Sequence, residues 1–146
     1  RSGAHLVTDT RMAQAGINKR NLGGHGGEAR CFMDDPEVAR LASERGVTRA
    51  TLAVERAFMD PANRIWVVGN APTALIRLHE LLSALGPDKP GPALVIAVPV
   101  GFVNVVESKE LFVASPWPCI VARGRKGGRT VAAAIVNAQL YQLGRD

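Results

Sequence analysis

The sequence predicts an α/β domain built on a mainly parallel sheet, and three observations lead to this expectation. Short β-branched runs alternate with longer helix-like runs, which is typical of βαβ units. The run at 65–68 (Ile-Trp-Val-Val) is continuously apolar, as expected for a strand that is covered on both faces. The length of 146 residues suits one domain with a single core.

The strands and helices follow from these runs and from their end signals. Strands are expected at His5–Thr8, Glu28–Met33, Arg64–Val68, Ala93–Val98 and Cys119–Ala122. Helices are expected from Pro36 to about Gly46, from Thr48 to about Met59, and at Pro72–Leu85, Glu107–Ala114 and Thr130–Leu143. Asp35 before Pro36 is a typical N-cap followed by a first-turn proline. The clearest helix carries its leucines on one stripe, namely Leu75, Leu78, Leu82 and Leu85.

Composition excludes several classes of protein. Apolar residues make up 47% and charged residues 21% of the chain, which is ordinary for a globular protein. The longest apolar stretch, Ala93–Val103, contains Pro99 and Gly101 and is too short to cross a bilayer, which takes about twenty apolar residues. Cys31 and Cys119 lie in strand-like apolar runs and are expected to be buried free thiols, so a cytoplasmic protein is expected.

The charge balance indicates an anionic partner. The formal net charge is +5 and the sequence pI is about 9.9. Only a few aromatic residues are present, and no basic and aromatic ladder for stacking bases is found, so an anionic small molecule is expected rather than nucleic acid. His5, His25 and His79 show no metal-ligand spacing, and no Gly-x-Ser-x-Gly nucleophile motif occurs.

The residues that follow the strands form the predicted binding site. In open parallel sheets, ligands bind beyond the carboxyl ends of the strands. Four segments meet this rule, and each carries the glycine, proline or small polar residues that let a backbone approach a ligand. They are Asp9-Thr10, residues 69–73 (Gly-Asn-Ala-Pro-Thr), residues 99–103 (Pro-Val-Gly-Phe-Val) and residues 124–128 (Gly-Arg-Lys-Gly-Gly).

The segment 124–128 opens the last helix, where free N–H groups and the helix dipole favour an anion. Arg125, Lys126 and Arg129 add positive charge, although a plain basic turn would look the same. The spacing matches neither a P-loop nor a dinucleotide-binding fingerprint.

Other polar residues near the predicted site each have a structural alternative. Asn70 could contact a ligand or cap the helix from Pro72. Glu107 and Ser108 suit a helix start for capping reasons alone, whereas Lys109 is less expected in a first turn and would be explained by an anionic ligand. Asn137 is expected to be a buried hydrogen-bonding residue or a subunit contact.

Three motifs change this general picture. They are Gly69-Asn70-Ala71-Pro72-Thr73-Ala74-Leu75, then Pro99-Val100-Gly101-Phe102-Val103 followed by Glu107-Ser108-Lys109, and finally Gly124-Arg125-Lys126-Gly127-Gly128 with Asn137-Ala138. Their order and their placement after successive strands resemble the precorrin-8X methylmutase family. The stretches Thr8-Asp9, Met12, Gly16-Ile17 and Asp35-Pro36 are also similar to that family.

The resemblance implies a three-layer, doubly wound, flavodoxin-like α/β/α fold and a homodimer. It implies an isomerase of vitamin B12 synthesis that moves a methyl group between adjacent carbons of ring C, giving hydrogenobyrinate or its cobalt counterpart, cobyrinate, without a separate cofactor or metal. A corrinoid with many carboxylates would meet a basic set drawn from Lys19, Arg20, Lys109, Arg125, Lys126 and Arg129.

The residues expected to bind this substrate are those of the strand-end motifs. They are Asp9, Asn70, Thr73, Gly101, Phe102, Glu107, Ser108, Lys109, Arg125, Lys126 and Gly127. None of the chain's histidines matches the catalytic histidine of the family. The resemblance therefore implies that residues 1–146 form a single domain and that the family's N-terminal segment, with this histidine, lies upstream of Arg1.

Two alternatives remain open at this level. One is a tetrapyrrole-binding protein without catalysis. The other is a phosphate- or nucleotide-binding α/β domain that uses residues 124–128.

Overall fold

Strands and helices alternate along the chain. The computed structural model describes residues 5–9, 27–33, 35–85, 91–99, 105–122 and 128–145, with only the backbone at 129–130 and 140–145. The strands are β1 His5–Thr8, β2 Ala29–Cys31, β3 Asn63–Val68, β4 Leu94–Ala97 and β5 Cys119–Val121. The helices are α1 Pro36–Arg45, α2 Arg49–Phe58, α3 Pro72–Ser83, α4 Val105–Val113 and α5 Arg129–Arg145.

The strands form one sheet in the order β2-β1-β3-β4-β5, and every pairing is parallel. This order is the flavodoxin-like one among doubly wound sheets. Thr8 pairs with Val67, and Val67 pairs with Ile96, so the strands also end at a similar height. The expected α/β fold with a parallel, flavodoxin-like sheet is confirmed.

The central strand β3 is buried on both faces, as its apolar run predicted. Trp66 and Val68 pack on one face, whereas Val67 packs on the other, because side chains alternate along a strand. The first face is covered by side chains of α2, α3 and α4, including Ala50, Val54, Leu75, Leu78 and Phe112. The second face is covered by α5 through Ala132, Ala133 and Val136. The sheet is therefore the middle of three layers.

The ends of α1 and α2 confirm the predicted capping residues. An Asp35 carboxylate oxygen accepts a hydrogen bond from the Glu37 N–H at 2.9 Å. At the other end of α1, Gly46 takes the left-handed conformation with φ of 66°, which favours glycine. The Thr48 hydroxyl accepts from the Thr51 N–H at 3.2 Å and so caps α2.

Helix α4 begins two residues before the predicted start. Val105 is fully buried, and its burial in the core extends the helix beyond the charged residue at which the sequence signal placed its beginning. Lys109 therefore lies in the second turn, and the interpretation of Lys109 as a first-turn cation was wrong.

Smaller differences concern β2, α5 and the thiols. Strand β2 covers only Ala29–Cys31, and α5 runs from Arg129 to Arg145, beyond both predicted ends. Cys31 and Cys119 form no disulfide, as expected, but they are half-buried rather than buried. Among the described residues, no helix is long and apolar enough to cross a membrane.

The leucine stripe of α3 predicts where the core is most sensitive to truncation. Leu78 is fully buried between α3 and the sheet, so we expect Leu78→Ala to lower the free energy of unfolding by about 2–5 kcal/mol. Leu111→Ala, on the outer side of α4 with 36% of the residue exposed, should cost about 1 kcal/mol or less. Urea unfolding measures both losses, and equal losses would contradict the core described here.

Candidate ligand-binding site at the carboxyl edge of the sheet

All described strands end at the same edge of the sheet, because all of them run parallel. Asp9 follows β1, Gly69 follows β3, and Val98 and Pro99 follow β4. The backbone continues this alignment beyond the strands: the Asp9 N–H donates to the Val67 carbonyl at 3.2 Å. This side of the molecule is termed the carboxyl edge, and the opposite side, where the strands begin, is termed the amino edge. The predicted convergence of the strand ends is confirmed.

Asp9 is tied to the turn that joins β3 to α3. One carboxylate oxygen accepts from the Gly69 N–H at 2.9 Å. The other accepts from the Asn70 N–H at 2.8 Å and the Ala71 N–H at 2.7 Å. Asp9 is only 7% exposed. Three consecutive backbone donors therefore converge on one buried side chain.

Two opposing effects act on the ionisation of Asp9. Burial disfavours the charged carboxylate and raises the pKa of Asp9. The hydrogen bonds from Gly69, Ala71 and Asn70 favour the carboxylate and act in the opposite direction, but burial is the larger effect. The backbone N–H groups of this turn thus stabilise the charged form of the Asp9 carboxyl group against the effect of burial.

Asn70 and Thr73 lie on the outer side of the same turn. Asn70 is exposed, and it does not cap α3, since the N-cap position belongs to Ala71 and carries no side-chain hydrogen bond. The Thr73 hydroxyl lies 3.3 Å from the hydroxyl of Thr48, which lies 2.9 Å from that of Thr51. Three hydroxyl groups therefore form a cluster between the starts of α2 and α3.

Thr48 and Thr51 were missed as candidate site residues. Their helix can be predicted from the capping pattern around Thr48. The contact between Thr48 and Thr73 joins residues 25 positions apart, and no local pattern reports it.

The start of α4 brings a second polar group to the carboxyl edge. Glu107 is exposed in the first turn, where the helix dipole favours a negative charge. Ser108 is fully buried, and its hydroxyl donates to the Val105 carbonyl at 2.9 Å. Lys109 is also fully buried, and burial lowers its pKa. Burial thus disfavours the charged form of Lys109, whose side chain lies inside the protein rather than on its surface.

The beginning of α5 lies against the end of β4. The Gly128 N–H donates to the Val98 carbonyl at 2.7 Å, and the φ of 121° at Gly128 is one that side chains rarely adopt. The last residue of the basic segment 124–128 is therefore at the carboxyl edge. Several predicted site residues lie outside the described residues: Gly101, Phe102, Arg125, Lys126 and Gly127, together with Lys19 and Arg20 of the basic set.

The described histidines do not lie at this edge. His5 begins β1, and its N–H donates to the Ala62 carbonyl at the amino edge. The His79 ring packs edge-on against Phe112 and Trp117, with ring centroids 5.6 and 5.5 Å away. In the described part of the chain, no group of three or more His, Cys, Asp or Glu residues is arranged to hold a metal ion.

Two cavities lie elsewhere on the molecule. One of about 630 Å³ runs along β2 and the end of α2, and one of about 440 Å³ lies near Trp66, Leu82 and Pro92. Neither is lined by Asp9, by the 69–73 turn or by α4. The polar groups that the strands bring together therefore line neither of these two cavities.

The fold is that of a doubly wound α/β protein of flavodoxin-like order, with polar residues gathered at the carboxyl edge of its sheet. Comparison with known proteins identifies it further. The family model of precorrin-8X methylmutase matches residues 1–142, and the chain belongs to this family.

Curated relatives have the same family names. The chain is 50% identical over 139 residues to a cobalt-precorrin-8 methylmutase of Salmonella typhimurium, covering 94% of this chain and 63% of the relative. It is 40% identical over 139 residues to a precorrin-8X methylmutase of Pseudomonas aeruginosa, covering 94% of this chain and 65% of the relative. The chain thus spans less than two thirds of the length of these relatives.

Solved structures agree with the fold. The precorrin-8X methylmutase of Thermus thermophilus superimposes with a TM-score of 0.84 at 37% identity, covering 99% of this chain and 69% of that chain. A precorrin-8X methylmutase related protein gives a TM-score of 0.82 at 28% identity, covering 95% of this chain and 71% of that chain.

Proposed function

We propose that this chain acts in cobalamin (vitamin B12) biosynthesis as an isomerase. The reaction is an intramolecular shift of a methyl group on precorrin-8X or cobalt-precorrin-8, which gives hydrogenobyrinate or cobyrinate. The observation that carries the proposal is the family match over residues 1–142, supported by 50% identity to a relative named cobalt-precorrin-8 methylmutase. The polar carboxyl edge supports it independently, because the substrate is rich in carboxylates.

An isomerisation of this kind neither gains nor loses atoms, so the protein contributes positioning and proton transfer. The exposed amide of Asn70 and the hydroxyls around Thr73 supply hydrogen-bond donors for substrate carboxylates. Lys109 supplies positive charge from beneath the edge. Arg125 and Lys126, which lie outside the described residues, are further partners expected from the sequence. Rigid support for these groups favours one substrate orientation.

The general acid is a histidine outside the described residues in this proposal, as the resemblance to the family implies. His5 and His79 are unsuitable, because both are held away from the carboxyl edge by their contacts. The carboxyl edge would then bind and orient the macrocycle while the histidine transfers the proton.

Two further features belong to the proposal. The enzyme acts as a homodimer, with the corrinoid bound near the interface between its subunits. It works in the cytoplasm, and two half-buried thiols that form no disulfide suit a reducing compartment.

The proposal is tested with the protein expressed from its complete gene and with precorrin-8X and cobalt-precorrin-8 as substrates. We expect conversion to hydrogenobyrinate or cobyrinate, followed by visible absorbance, and saturable binding of hydrogenobyrinate that inorganic phosphate does not displace. Binding without conversion would indicate a non-catalytic corrinoid carrier. Displacement by phosphate would indicate a phosphate-binding domain.

A variant in the same assay connects the activity to the carboxyl edge. Lys109→Met removes the positive charge but keeps a long side chain. Because Lys109 is fully buried, it would act on the ligand through its charge rather than by contact, and we expect hydrogenobyrinate binding to weaken by about 1–2 kcal/mol. Lys89→Met, in the connection from α3 to β4, is the matched control and should bind as the wild type does. Equal affinities for all three proteins would remove Lys109 from the site.

A further inference from the structure

The backbone of one turn binds both oxygens of the Asp9 carboxylate. Its two oxygens accept three hydrogen bonds of 2.7–2.9 Å from consecutive residues of the turn after β3. The side chain points into the protein rather than toward solvent, since Asp9 is only 7% exposed. Direct contact with a substrate carboxylate would in any case bring two like charges together.

The turn held by Asp9 presents Asn70. With its backbone N–H directed inward to Asp9, Asn70 is exposed at the carboxyl edge. The first turn of α3 has no side-chain cap of its own, so the carboxylate of Asp9 is the described side chain that orders the backbone at Gly69–Ala71. Thr73, two residues after Ala71, is fixed separately through its hydroxyl contact with Thr48.

We propose that Asp9 is a positioning residue, which fixes the Gly69–Ala71 turn so that the Asn70 side chain meets the corrinoid, and that Asp9 itself does not touch the substrate. This role rests on the proposed function. In this role Asp9 does not bind the substrate directly. It affects substrate binding through the neighbouring Gly69–Ala71 turn.

A double-mutant cycle with Asp9→Asn and Asn70→Ala tests this role in the protein expressed from its complete gene. The Asn side chain keeps the shape of Asp but places an N–H₂ donor against backbone donors, so it disturbs the turn. We expect each single variant to weaken hydrogenobyrinate binding about tenfold, and the double variant to be about tenfold weaker as well, because both changes remove the same contact. In turnover, the loss should appear in KM, with kcat within about threefold of the wild type.

Leu78→Ala serves as the control for stability. It destabilises the core away from the carboxyl edge and should leave the affinity of the folded protein unchanged. If Asp9→Asn does not fold, Asp9→Glu takes its place, since its extra methylene displaces the turn while keeping the charge.

The outcomes separate the role of Asp9 from the function itself. Independent losses, with the double variant about a hundredfold weaker than the wild type, would overturn action through Asn70. If a destabilised Asp9 variant binds hydrogenobyrinate with wild-type affinity, Asp9 has only a structural role, and the proposal is overturned. A wild-type protein that binds no corrinoid would overturn the proposed function and this role with it.

Discussion

Parallel pairing of all the described strands is the constraint on which the rest of the structure depends. It brings residues that are far apart in sequence, such as Asp9, Gly69 and Val98, to the same edge of the sheet. An antiparallel strand in the middle of the sheet would send its following loop to the amino edge and divide the site. The apolar run of β3, buried on both faces, is what makes this arrangement stable.

The buried polar residues are distributed unevenly between the two edges. Of the five buried polar or charged residues in the described ranges, Thr8, Asp9, Ser108 and Lys109 lie at the carboxyl edge, and only Asn63 lies at the amino edge. Burying such groups costs free energy unless hydrogen bonds compensate, and departures from an apolar interior often mark functional sites. At the amino edge, charged side chains lie closer to the surface, as in the 2.7 Å ion pair between Arg30 and Asp60. This asymmetry supports the carboxyl edge as the place where function resides.

Features that depend on neighbouring residues could be predicted from the sequence. Features that depend on contacts between distant parts of the chain could not. The caps of α1 and α2 depend on neighbours within three residues, so Asp35 and Thr48 were identified correctly. The start of α4 was misplaced because the burial of Val105 depends on the assembled core. The rule for parallel sheets selected Asp9 and residues 69–73, but their hydrogen bonds span about 60 positions, and only the fold shows that Asp9 serves the turn.

The most direct test of a corrinoid site at the carboxyl edge is a titration of the ¹⁵N-labelled protein with hydrogenobyrinate, followed by amide chemical shifts. Contact with the bound macrocycle changes the surroundings of nearby amides, so the amides of Gly69, Asn70 and Ala71 at the carboxyl edge should shift. Amides of Ala62 and Asn63, at the amino edge, should remain in place. Shifts confined to the amino edge, with the 69–71 amides unchanged at saturation, would contradict the account.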